Sequence, residues 1–72
     1  MKKNPGSKAF LNLGLILNEL GYESKGEKAT KKSIKLNPLN DIAYMNLGGF
    51  LQDKGRLISS EKALLKSLEI NN

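Results

Sequence analysis

The chain contains no cysteine and no histidine. The first absence excludes a disulfide framework, and the two together remove the commonest zinc ligands. No metal and no cofactor are expected. Long hydrophobic runs are missing too. LGLIL at residues 13–17 is typical of the longest, far short of the roughly 20 apolar residues that span a bilayer. The opening MKKNPGSK is basic, but Pro5 and Gly6 follow and no small-residue cleavage site is visible. A secretory signal is therefore not expected, and a cytoplasmic location is. No GxGxxG pattern and no phosphate loop occur. The serines have no base beside them at a recognisable spacing. Glu19 with Glu23, or Asp53, could be drawn as an acid–base pair, but solvated helix charges are the default reading, so no catalysis is expected. With 72 residues, the chain makes one small domain that buries only about 60–65% of its unfolded surface, and its core is marginal.

Charge is unevenly placed. Residues 1–40 carry eight lysines and three acids, and residues 41–72 balance four of each sign, so the whole net charge of +5 lies in the first half.

What the sequence does have is a repeat. NLGLILNELG at residues 12–21 returns 34 residues later as NLGGFLQDKG. Aligning residues 7–38 with 41–72 gives 12 identities in 32 pairs without a gap, where unrelated segments of average composition would share roughly two. A fixed period of this length marks a stacked repeat. Each copy divides into two helical stretches. In the first, Phe10, Leu13, Gly14, Leu17 and Leu20 recur at steps of three and four, which places them on one face. Gly21 suits a left-handed helix cap. A second helix is expected over 23–36, with Ser24 and Glu27 at capping-box spacing and Asn37-Pro38 as its end. The second copy predicts helices over about 42–54 and 57–70, broken at Gly55. Gly14 and Gly48 lie inside helices, where glycine costs about 1 kcal/mol relative to alanine. Close approach of the partner helix at the small Ala29 or Ala63 is the expected offset.

An aromatic, Leu-Gly, Gly, Ala and a closing Asn-Pro, here Phe10, Leu13-Gly14, Gly21, Ala29 and Asn37-Pro38, then Tyr44, Leu47-Gly48, Gly55 and Ala63, resemble the tetratricopeptide repeat. The resemblance covers residues 7–72. It implies an all-α fold: four antiparallel helices forming two helix–turn–helix units in a short right-handed solenoid, with a tail at 1–6 and repeats at 7–40 and 41–72. It also implies a non-catalytic scaffold that binds a peptide or protein in a concave groove lined by the first helix of each unit. Some positions depart from the family pattern. Gly26 and Ser60 stand where a small alanine is usual, Thr30 where a bulky residue is usual, and Ser33 and Ser67 where a further alanine is usual. The second helix is therefore expected to be the softest element.

If Phe10, Leu13, Gly14 and Leu17 face inward, the groove is lined by Leu11, Asn12, Leu15, Asn18 and Glu19, then Met45, Asn46, Gly49, Gln52 and Asp53. Asn12 and Asn46 are equivalent, and an amide can hold an extended peptide backbone; the alternative is that each bonds nearby backbone and orders the stack. Some family members clamp a C-terminal carboxylate with basic residues. Here Leu11 and Leu15 stand at two clamp positions and only Asn46 matches, so that specificity is not expected. Lys25, Lys28, Lys32 and Lys35 form one helical stripe, with Lys31 beside it and Lys2, Lys3 and Lys8 in the same half. Such a stripe is usually a solvated convex face. The alternatives are an acidic protein partner or nucleic acid, the latter without the arginines or interleaved aromatics that read bases.

Two units fall short of the about three that a solenoid usually needs, and no polar capping helix follows Ile70. Helix one is apolar nearly all round, and Leu64, Leu65 and Leu68 are expected to face the place of a further unit. The expectation is a homo-oligomer, by end-to-end stacking or helix exchange. The competing accounts are an excerpt of a longer array, a purely structural homo-oligomer, or a basic nucleic-acid-binding helical protein.

Overall fold

The computed structural model describes residues 6–71. Four helices account for nearly all of them: α1 (Gly6–Glu19), α2 (Glu23–Leu36), α3 (Asp41–Asp53) and α4 (Leu57–Ile70); no strand occurs among the described residues. The tail expected at 1–6 falls outside them except for Gly6, which opens α1.

α1 packs along α2 and α3 along α4, and the two hairpins meet mainly through α2 and α3, with a lighter contact of α1 on α3. The turns follow from glycine. Gly21 and Gly55 have φ of 94° and 77°, the left-handed region that residues with a Cβ avoid. Each sits in a Schellman closure: the Tyr22 amide donates to the Leu17 carbonyl at 2.8 Å and the Gly21 amide to Asn18 at 3.0 Å, and Arg56 and Gly55 repeat this with Leu51 and Gln52 at 2.9 Å each. Asn40 caps α3, its Oδ1 accepting from the Ala43 amide at 3.1 Å.

The expected capping box does not form. α2 begins at Glu23, with Tyr22 before it and no side-chain cap, so Ser24 already lies in the first turn and Glu27 is drawn elsewhere.

The helical glycines mark close approach, but not to Ala29 or Ala63. A Cβ on Gly14 would lie 2.9 Å from the Gly26 carbonyl and would overlap Thr30 Oγ1, and one on Gly26 would lie 2.9 Å from the Gly14 carbonyl. A Cβ on Gly48 would meet Leu64 Cγ and Cδ2 at 2.8 Å, while Ser60 Oγ donates to the Gly48 carbonyl at 2.7 Å. The seam thus runs through the positions that depart from the family pattern. Ala63 instead packs with Leu47 and Leu51, with Ile34 of α2 against them.

Hydroxyls tie the ends of each hairpin. Ser33 Oγ donates to the Ser7 carbonyl at 2.6 Å, and Ser7 Oγ to the Ser33 carbonyl at 3.0 Å. In the second hairpin, Ser67 Oγ donates to the Asp41 carbonyl at 2.9 Å.

Candidate interaction surfaces

Because α1 is apolar on most sides, periodicity alone does not select the side that is covered. The structure turns it differently from expectation. Ser7, Leu11 and Gly14 are buried, whereas Leu13, Ile16 and Leu20 are exposed. Leu11 therefore belongs to the core and not to the groove, and Leu13 does not face inward. The reason is visible in the second hairpin. Met45, at Leu11's repeat position, is 51% exposed against 7% for Leu11; only α1 has a further hairpin over this side. With Ala9, the exposed residues form the stripe Ala9, Leu13, Ile16, Leu20 at helical spacing, all equally legible in the sequence.

The remaining groove residues fall into two grades of exposure. Asn12, Glu19, Met45, Gln52 and Asp53 are exposed, and Leu15, Asn18, Asn46 and Gly49 are half-buried. Neither Asn12 nor Asn46 makes a side-chain hydrogen bond among the described residues. A Cβ on Gly49 would meet nothing within 4 Å, so this mid-helix glycine has open space above it.

At the other end of the stack, Leu65 and Leu68 are exposed, and Leu64 divides its surface between Gly48 and solvent. Of their equivalents in the first hairpin, Thr30 (for Leu64) is buried against Gly14 of α1, Lys31 (for Leu65) is exposed, and Ile34 (for Leu68) lies at the internal seam. Ile34, equivalent to Leu68, packs on the Leu47–Leu51–Ala63 core. Glu27 collects three cations there: Lys54 Nζ at 2.9 Å from Oε1, and Lys31 Nζ at 3.0 Å and Arg56 Nη1 at 3.6 Å from Oε2. The hydrogen bond from Lys54, then that from Lys31, holds the Glu27 carboxyl below its ordinary range, against the opposite pull of burial. This site was not legible in the sequence, because Lys54 and Arg56 lie in the other repeat. Glu61, at Glu27's repeat position, is exposed and has no ion pair among the described residues.

Lys25, Lys28, Lys32 and Lys35 are all exposed on the outer side of α2, and Lys8 is exposed on α1; Lys2 and Lys3 lie outside the described residues. Lys25 Nζ sits 5.4 Å from the centre of the Tyr22 ring. Glu19, Glu23 and Asp53 are exposed. Among the described residues no group of three or more acids is placed to hold a metal ion, and no helix is long and apolar enough to cross a membrane. A shallow depression lined by Gly55, Arg56, Leu57, Ile58 and Ser59 lies at the α3–α4 turn and includes none of the groove residues.

Comparison with family models gives a match to the tetratricopeptide repeat at residues 7–38 and again at 42–72. Comparison with curated protein sequences gives no significant match.

Proposed function

Since the chain belongs to the tetratricopeptide repeat family, whose repeats are generally protein–protein interaction modules, we propose that it is a non-catalytic, cytoplasmic scaffold that holds a peptide or protein along the side of α1 and α3 carrying Asn12, Leu15, Asn18, Glu19, Met45, Asn46, Gly49, Gln52 and Asp53. The observation that carries this reading is the pair Asn12 and Asn46. They share a repeat position, and neither spends its amide on another of the described residues, so both can serve an extended backbone. Selection from a displayed random-peptide library tests it. Peptides that bind the chain lose at least about tenfold affinity on Asn46→Ala, with helicity unchanged by circular dichroism. Binders indifferent to both Asn12→Ala and Asn46→Ala sink the groove reading.

A second reading, self-association through the ends of the stack, is favoured by the exposed apolar residues at both ends: Leu13, Ile16 and Leu20 on α1, with Leu65 and Leu68 on α4 beside the partly covered Leu64. Light scattering over a concentration series tests it. A helical monomer at every concentration ends it. The lysine stripe stays a solvated face in this reading, and a steep salt-dependent affinity for DNA of any sequence would overturn that.

A further inference from the structure

The seam between the two hairpins supplies a template for the two ends. On the α3 side it buries Ala43, Leu47 and Phe50 and extends Lys54 and Arg56. On the α2 side it offers Ile34 and Glu27. Shifted by one repeat, the first set becomes Ala9, Leu13, Ile16, Leu20 and Tyr22, and the second becomes Leu68 and Glu61. Both shifted sets are exposed. Leu13 is 44% exposed against 9% for Leu47, and Ile16 is 53% against 6% for Phe50. The chain therefore carries both halves of its own internal seam, one at each end.

We propose that the occupant of the free face of α4 is a second copy of this chain, docked head to tail, its α1 stripe on Leu68 in the register of the internal seam, with Leu65 at the rim where the internal seam has the exposed Lys31, and its Lys25 meeting Glu61. The proposal rests on the self-association reading above. Charge selects this register. Covering Glu61 without a cation would be costly. Leu20 and Tyr22 replace Lys54 and Arg56, so neither supplies one. Lys25 does, because its ammonium already stands over the Tyr22 ring at that corner. A head-to-tail contact is heterologous and does not close, so assembly grows with concentration instead of stopping at a dimer.

The test uses one variant for each face. L13E/I16E disables the α1 end, and L65E/L68E disables the α4 end; all four positions are exposed, and circular dichroism verifies the fold. Should L13E/I16E lose helicity, Leu20→Glu replaces it. By sedimentation equilibrium, wild type is expected to gain mass steadily with concentration. Each variant alone is monomeric, and their equimolar mixture forms a 1:1 heterodimer and no more. Lys25→Glu in the L65E/L68E chain weakens that heterodimer about fivefold, and Glu61→Lys in its partner restores it. Wild type that stays monomeric overturns self-association itself. Wild type that associates while L13E/I16E alone still dimerises, or while the mixture stays monomeric, overturns only the head-to-tail arrangement. A heterodimer indifferent to both charge changes overturns the register.

Discussion

The two hairpins share Asn-Leu-Gly in their first helices but close on their second helices by different means. In the first, Gly14 faces Gly26, and Thr30 folds back to donate to the Gly26 carbonyl at 3.0 Å, so backbone meets backbone. In the second, Ser60 donates to the Gly48 carbonyl and the Leu64 side chain fills the space over Gly48. The small residues Gly26 and Thr30 answer to Ser60 and Leu64 as a set. A repeat position can change its residue when its neighbour one turn along changes with it, because what the fold specifies is the filled volume between helices. The apparent weakness of α2, a glycine and a poor helix former, is a condition for its close approach to α1.

Alanine at the two equivalent glycines breaks this comparison most directly. Gly14→Ala drives a methyl group against the Gly26 carbonyl and Thr30, and the expected loss is about 2–3 kcal/mol in urea titrations, a large share of the stability of so small a domain. Gly48→Ala meets the partly exposed Leu64 side chain, which can move, and touches the Ser60 carbonyl at an ordinary 3.4 Å. With the gain in helix propensity it should stay within about 1 kcal/mol of wild type. Equal losses at the two sites would show that the seams are alike.

The hydroxyl ties give the next contrast. Ser33 is fully buried and shares hydrogen bonds with Ser7 in both directions, with the Asn40 amide nearby at 3.5 Å. Ser67 makes one bond at a half-buried site. Ser33→Ala should cost about 1–2 kcal/mol and Ser67→Ala about half of that, measured in the same titrations.

Glu27 and Glu61 sharpen the comparison through pH. The folded pKa of Glu27 is depressed, so its contribution is full above its unfolded pKa and fades as pH falls through the folded value. With the ordinary value at 4.5, wild type should lose stability below about pH 4.5 by a part that Glu27→Gln abolishes. At neutral pH Glu27→Gln should lower stability by about 1 kcal/mol, most of its cationic partners being exposed. Glu61→Gln, at an exposed site without an ion pair among the described residues, should leave the thermal melt of the dilute chain unchanged at neutral pH.

How much of this was legible in the sequence depends on whether the deciding partner was local. The period, the four helices and the breaks at Gly21 and Gly55 rest on spacing within about a dozen residues, and all were readable. The N-cap Asn40 had a readable signal as well, an Asn-Asp pair ahead of Ile42. The covered side of α1 was not readable, because leucines at positions 11, 13, 15 and 17 satisfy more than one face and only the neighbouring hairpin decides between Leu11 and Leu13. The same limit applies to Glu27. Ser-x-x-Glu has one spacing whether the glutamate caps its helix or bridges to Lys54, and nothing within α2 distinguishes the two. The glycine partners depended on how the helices cross, which put Gly26 and not Ala29 opposite Gly14.

The smallest expected effect concerns Gly49, where the first hairpin has Leu15. Its neighbour Gly48 is hemmed in by Leu64, but Gly49 faces open space, so nothing among the described residues offsets what glycine costs in mid-helix. Gly49→Ala should therefore raise stability by about 0.5–1 kcal/mol. If Asn46 and its neighbours hold a peptide, the bare backbone at Gly49 lets that peptide come closer than it can beside Leu15. The same substitution should then weaken the peptides selected above, while Leu15→Ala spares them or tightens them. Stability and affinity moving in opposite directions at one residue is a result that a merely tolerated glycine cannot give. If Gly49→Ala gains stability and loses no affinity, the bound peptide lies along the first hairpin.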